Sequence, residues 1–272
     1  MSGLRPIRPA HGNVAYALAA VLLMVSAAGQ AAAQVSTGPY YTVQSIVHAA
    51  TQTPEALAPN TIATIYGTNL SYSTASAGNL PIGQVLPTEL GGVTVIAGGY
   101  IANLFYVSPT QINFLIPYFL IPGNITVFVA RNGVAGPQVP IHLNSTAPGG
   151  FQWNGYIIGT HLDGRLISPD APASAGEIIV IYFAGLGRVS PDTTSGRLAP
   201  SAAPIVALSQ TQVLLSGVAC PQSSLLYVGL APGFAGLYQI NLKVPPFAPA
   251  NPEFRVQVGN QISPPGIPLA LQ

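Results

Sequence analysis

The stretch "QINFLIP", Gln111 to Pro117, returns later in the chain as "QINLKVP", Gln239 to Pro245. In the second copy Ile240, Leu242 and Val244 fall on one face, and Gln239, Asn241 and Lys243 on the other. Strict alternation of this kind is the pattern of a half-buried β-strand. The closing proline ends it, because proline has no N–H to give to a ladder. The first copy alternates in the same way with Ile112, Phe114 and Ile116, but Leu115 stands where the second copy has Lys243. That strand is therefore expected to be covered on both faces, the second face by a neighbouring domain. A strand written twice points to a duplicated β fold.

The flanking sequence repeats as well. "APNTIATIYGTNLS" from Ala58 is echoed by "SAGEIIVIYFAGLGRVS" from Ser174, an offset of 116 residues at Ile62 and Ile178. The offset grows to 121 at Tyr106 and Tyr227 and to 128 at Gln111 and Gln239, so the second copy carries longer loops, chiefly "APGFAG", Ala231 to Gly236. Each copy is a series of short runs rich in Val, Ile, Thr, Tyr and Phe, separated by turn residues. Gly and Pro together make 56 of 272 residues, which suits strands joined by turns and excludes long helices. Asn132-Gly133 between β-type runs predicts a hairpin. The continuously apolar "IIVIYF", Ile178 to Phe183, predicts a central strand buried on both faces. The expected fold is all-β: two tandem sandwiches over residues 40–145 and 157–272, which the resemblance below makes immunoglobulin-like, joined by a linker at 146–156. Phe151 and Trp153 in that linker are expected to pack in the seam between the domains.

Residues 1–33 have the form of a cleaved signal peptide: Arg5 and Arg8, the apolar run Val14 to Gly29, then "AAAQ" at Ala31 to Gln34. Without it the chain has 6 basic and 7 acidic residues (8 Lys+Arg less Arg5 and Arg8, against 7 Asp+Glu), a net of −1. No basic stripe is present, so nucleic acid is not an expected partner. No apolar run beyond the leader is long enough to span a bilayer as a helix. The expected location is therefore outside the cytoplasm: periplasmic, cell-surface or extracellular. Cys220 is the only cysteine, so no intrachain disulfide is available, and it reads as a small buried or turn residue. Charged residues are only 6% of the chain, and a surface so poor in charge offers little repulsion against self-association or docking on an envelope component.

Four stretches together, from His48 to Ser71, Leu86 to Pro117, Asp163 to Gly187 and Gly229 to Pro245, resemble a family of exported bacterial proteins of acidobacterial type. In that family a tandem unit of immunoglobulin-like, IPT/TIG-type domains often closes a longer secreted chain. The resemblance covers about residues 42–262 and implies the same tandem sandwich fold. It brings no catalytic residue, cofactor or ligand with it. Cys220 departs from the usual phrase, which has a small residue there.

Chemistry-bearing motifs are scarce. The chain has no H-E-x-x-H, G-x-S-x-G, C-x-x-C or glycine-rich phosphate loop. Its one cluster, His161, Asp163, Arg165, Ser168 and Asp170, reads as a turn at Asp163-Gly164 rather than a triad, because triads draw on distant segments. Asp163, Asp170 and Glu177 could supply oxygens to calcium, but their spacing matches no calcium loop, and no cofactor is expected. The expected function is a non-enzymatic exported module, structural, adhesive or partner-binding, acting on an unidentified protein or polysaccharide at the envelope. The alternative is a carbohydrate-binding module. Its candidate surface is Tyr106, Gln111, Asn113 and Tyr118 in the first copy and Phe234, Tyr238, Gln239 and Asn241 in the second. There tyrosine rings would stack on sugars and carboxamides would bind hydroxyls. The competing reading of the Gln/Asn rows is scaffold, since both copies share them.

Overall fold

The computed structural model describes residues 38–54 and 57–272; the expected leader at 1–33 and Glu55 lie outside them. Regular structure among the described residues is strand, apart from 3₁₀ turns at Val43–Ser45, Leu208–Gln210 and Gln222–Ser224. No helix among them is long and apolar enough to cross a membrane.

The first ten strands are β1 (Ile46–His48), β2 (Ile62–Tyr66), β3 (Ala75–Ser76), β4 (Val93–Ala97), β5 (Tyr100–Ile101), β6 (Asn103–Val107), β7 (Gln111–Leu115), β8 (Gly123–Arg131), β9 (Val134–Ala135) and β10 (Val139–Leu143). They form two antiparallel sheets, β1-β2-β7-β6-β3 and β10-β8-β4-β5, with β9 on the edge of β8. The β8–β9 hairpin turns on Asn132-Gly133, both in the left-handed region (φ 47° and 80°), as the sequence predicts. Ile65, Phe114 and Leu104 from one sheet and Val95, Val127 and Val129 from the other close a single buried cluster.

The C-terminal half repeats the plan. Its strands are β11 (Gly149–Gly150), β12 (Gln152–Trp153), β13 (Tyr156–Ile157), β14 (Gly159–Thr160), β15 (Ile178–Ala184), β16 (Ala203–Pro204), β17 (Thr211–Leu215), β18 (Val218–Ala219), β19 (Leu225–Leu230), β20 (Tyr238–Lys243), β21 (Phe254–Val258) and β22 (Gln261–Ile262). One sheet runs β11-β15-β20-β19-β16, with β14 also on β15; the other runs β18-β17-β21-β22. β15 is central and almost wholly buried, as its unbroken apolar run requires. Ile181, Phe183 and Ile240 face Val213, Phe254 and Val256 across the second core. Residues 146–156, expected as a linker, are built into this half: Gly149 and Gly150 pair with Ala184 and Phe183, and Gln152–Trp153 pairs with Tyr156–Ile157.

The repeated phrase occupies β7 and β20, and the duplication extends to detail. β6 and β19 each carry a bulge one residue before a tyrosine, between Leu104 and Tyr106 and between Leu225 and Tyr227. In each copy the glutamine donates to the asparagine two residues on: Gln111 Nε2 to Asn113 Oδ1 at 2.9 Å, and Gln239 Nε2 to Asn241 Oδ1 at 3.0 Å. Residues i and i+2 share a strand face, so this pair supplies its own partner in a place that water does not reach.

A third apolar cluster joins the halves. Ile62 and Leu115 of the N-terminal sheet meet Ala231 and Ala235 of the "APGFAG" loop and Leu237 just after it, with Val180, Tyr182 and Phe151 beyond them. Gly236 sits at φ +64° in this contact, and a Cβ there would lie 2.3 Å from Leu115 Cδ1. Backbone bonds reinforce it: Leu86 N donates to Gly196 O (2.9 Å), Leu198 N to Gln84 O (2.8 Å) and Gly83 N to Leu198 O (3.1 Å). Leu115 is thus covered on its second face by the other half, as its place in the alternation predicts, while Lys243 is exposed.

Candidate functional site

The sequence-based binding surface does not assemble at the surface. Asn113, Asn241 and Tyr238 are fully buried, Gln239 is 2% exposed and Gln111 8%. The physical reason is the covering of the two carboxamide-bearing sheet faces. The Asn113 oxygen is already occupied by Gln111 and by Thr64 Oγ1 at 3.0 Å. These are scaffold groups, and they correct the exposed-row expectation. The Tyr238 hydroxyl accepts from Asn60 Nδ2 at 2.8 Å and donates to the Gly187 carbonyl, and burial drives its pKa well above the tyrosine range. It is a bolt between the halves. Tyr106, Tyr118 and Phe234 are half-buried, in three different places: on β6, in the loop after β7, and against the seam.

The acidic cluster is also committed elsewhere. The Asp163 carboxylate accepts from Arg165 Nε at 2.7 Å and from Arg165 N at 3.0 Å, and the Arg165 guanidinium holds its pKa below the usual range. His161 is buried between Glu177 Oε1, 2.5 Å from Nδ1, and the Ala171 carbonyl, 3.2 Å from Nε2. The other Glu177 oxygen accepts from Ser174 N at 3.0 Å. Both ring nitrogens of His161 are thus engaged, leaving neither for the Ser168 hydroxyl, and Asp163, Asp170 and Glu177 do not converge; among the described residues no group of three or more His, Cys, Asp or Glu forms a metal site. Cys220 is buried, and burial pushes its thiol pKa up to about 11, the state of an inert packing residue.

The chain does build a pocket, in the stretch expected to be a linker. Asn154 and Gly155 both have positive φ (49° and 80°) and turn β12 tightly into β13. Trp153 and Tyr156 are direct cross-strand partners, so their rings stand on the same face of the hairpin. Trp153 leans on the seam cluster that buries Phe151, and Tyr156 on the C-terminal core; each stays half exposed. Opposite them Ser168 and Ala171 exchange backbone bonds of 3.0–3.1 Å, closing a tight turn that carries Pro169 and the exposed Asp170. Between hairpin and turn lies a cavity of about 260 Å³, with Ile157, Ile158 and Ile167 buried beneath it and Asn154, Ser168 and Asp170 around it. The signal was present in "WNGY", an Asn-Gly turn between two aromatic residues. A larger cleft of about 470 Å³ between the halves, bordered by Leu120, Pro122, Arg188, Val206 and Gln210, has no aromatic ring in its lining.

No family model matches the chain, and no curated protein sequence does. Matches among solved structures include the surface glycan-binding protein SGBP-B of the Bacteroides ovatus mixed-linkage glucan utilization locus, in complex with a mixed-linkage heptasaccharide. It is 12% identical, with 80% of this chain and 42% of that one covered, at a TM-score of 0.32. The surface glycan-binding protein PbSGBP-B from Prevotella bryantii is 10% identical, over 84% of this chain and 41% of that one, at 0.25. A tandem pair of titin immunoglobulin domains is 9% identical, over 80% and 91%, at 0.19. The chain spans about two fifths of the length of the two glycan-binding proteins it matches. Scores this low carry no weight for function; the fold stands on the strand order itself.

Proposed function

We propose that the chain is an exported, non-enzymatic carbohydrate-binding module that seats one residue of a neutral polysaccharide between the Trp153–Tyr156 hairpin and the Ser168–Asp170 turn. The observation that carries this reading is the combination of two cross-strand aromatic rings, an apolar floor and a small set of amide, hydroxyl and carboxylate groups around a cavity of about 260 Å³. A sugar ring has an apolar face for the aromatic rings and hydroxyls for the polar rim, and sites of this composition bind such ligands. Asp170 is the only acidic residue among the described residues that line the pocket, so acidic polysaccharides are disfavoured. Adhesion to an envelope or extracellular polysaccharide is then the biological form of the partner-binding role that the composition suggests.

Trp153 is the single tryptophan of the chain and reports directly on the pocket. A panel of neutral and acidic polysaccharides is screened by affinity electrophoresis and by Trp153 emission. A saturable emission change with a neutral polysaccharide is expected. Each ring contributes on the order of 1–1.5 kcal/mol, so Trp153→Phe keeps most retention, while Tyr156→Ala weakens it about tenfold. No emission change and no retention across the panel would remove the reading.

A further inference from the structure

Two loops of the N-terminal half present an apolar surface that neither core nor seam covers. Strand β5, just after the β4–β5 turn, carries Tyr100, 53% exposed, with the neighbouring Ile101 on the opposite face of the strand; the loop after β7 carries Phe119 and Ile121, 45% and 82% exposed. Leu120 ties the loops together: it packs against Gly98, where a Cβ would lie 2.9 Å from its Cδ2. Phe119 meets the Tyr100 ring at 4.8 Å and the Tyr118 ring at 5.5 Å, at interplanar angles of 80° and 82°. Rings locked edge to face give no coplanar platform on which a sugar chain could stack.

The loops are also uncharged. From Val93 to Asn103 and from Gln111 to Ala130 there is no Asp, Glu, Lys, Arg or His. In the matching loops of the C-terminal half Val218 and Phe247 are exposed, but there an acidic residue, Glu253, pairs through its backbone with Ser216 of the turn before Val218. The exposed parts of Tyr100, Phe119 and Ile121 offer on the order of 350 Å² at ~150–250 Å² per large side chain. That is about half of the ~800 Å² that each partner in a stable protein pair buries, too little for a second copy of the chain.

We propose that these two loops dock the protein on a lipid bilayer. Phe119 and Ile121 enter the acyl boundary, while Tyr100 and Tyr118 lie at headgroup level with their hydroxyls toward water. Because neither loop is charged, the matching surface is zwitterionic and the association does not depend on salt. This site and the sugar pocket share no residue, so each proposal stands or falls separately.

The test is sedimentation with phosphatidylcholine vesicles at low and high salt. All forms are purified after export from a bacterial host, so that they share one N-terminus. Wild type and a Val218→Ser/Phe247→Ser control are expected to sediment equally at both salt concentrations. Phe119→Ser/Ile121→Asn is expected to lose at least tenfold while keeping the urea denaturation midpoint of wild type. A conservative Phe119→Trp variant adds an insertion reading that does not depend on the folding of the double variant: brominated-chain phosphatidylcholine should quench its emission more than that of wild type. Absent sedimentation, sedimentation unchanged in the double variant, loss at high salt, or no added quenching would each overturn the proposal. So would a concentration-dependent dimer, seen by light scattering, that the double variant abolishes.

Discussion

His48 and His161 occupy the same place in the two halves. The residue before each lies opposite the third residue of the first long strand, Val47 against Thr64 and Thr160 against Val180. The backbone N–H of each closes a turn, onto Thr53 O and Arg165 O. Their chemistry is opposite. The Nδ1 of His48 accepts from Ala50 N (3.1 Å) and Thr51 N (3.4 Å), which puts the proton on Nε2, facing Ala147 O at 3.1 Å. His161 instead meets a carboxylate, because Glu177 stands where the N-terminal half has Thr61. The surrounding turn is otherwise the same: Thr61 Oγ1 accepts from Ala58 N as Glu177 Oε2 accepts from Ser174 N. The pair teaches that the strand frame fixes where a side chain goes, and the neighbours beyond the frame fix what it does. The strand ends say the same, since Leu115 is seam and Lys243 is surface.

The largest test of this contrast is to exchange the strand ends. Leu115→Lys puts an unpaired ammonium into a cluster where Leu115 is 1% exposed, and removes the packing against Gly236. A loss of about 4 kcal/mol is expected. The reverse change, Lys243→Leu, adds only exposed surface and should stay within ~0.5 kcal/mol. Chemical denaturation midpoints measure both. Equal effects would show that the seam does not distinguish the copies.

The strand phrase, the Asn132-Gly133 hairpin, the buried run in β15 and the second-face burial of Leu115 were all legible, because each is a local pattern of period two or a turn with fixed chemistry. The burial of Gln239 and Asn241 was not. A carboxamide in a strand reads as solvent-facing unless the covering surface is known, and here the face that carries them is the face of Val180 and Tyr182, which the third apolar cluster covers. The pocket was half legible: "WNGY" is a hairpin signal, but the Ser168–Ala171 turn that faces it comes into place only through the tertiary fold. The sequence places Trp153 in the seam, and a hairpin signal alone shows no pocket beside it. The structure places it on the edge of the seam cluster, half-buried there, and facing the pocket.

The second test uses pH. Burial lowers the pKa of His48 to about 4, against 6.5 for a free histidine. The native state therefore takes up its proton later than the unfolded chain does. His48 costs nothing above pH 6.5, and stability falls as pH drops from 6.5 toward 4, by ~3 kcal/mol in all at 1.36 kcal/mol per unit. His48→Asn should begin less stable at neutral pH, since Ala147 O, Ala50 N and Thr51 N lose a fitted partner, and should show a flatter slope over that window. Urea midpoints at pH 7, 5.5 and 4.5 separate the two curves. Parallel curves would mean that another group carries the acid sensitivity.

The smallest expected effect converts one copy's turn into the other's. Glu177→Thr recreates the Thr61 arrangement, so the Ser174 N–H keeps an acceptor while His161 loses its carboxylate. Because the Glu177 side chain is 28% exposed, the loss is expected to be about 1 kcal/mol, below the value for a fully buried charge-assisted bond. The more telling readout is the pocket. His161 Nε2 faces the carbonyl of Ala171, the last residue of the turn that carries Asp170, so freeing the imidazole loosens one wall of the cavity. Polysaccharide retention should fall a few-fold while the seam, probed by the Leu115→Lys difference, is unaffected. If retention is unchanged although the melting temperature drops, the histidine serves the strand end alone and the wall stands without it.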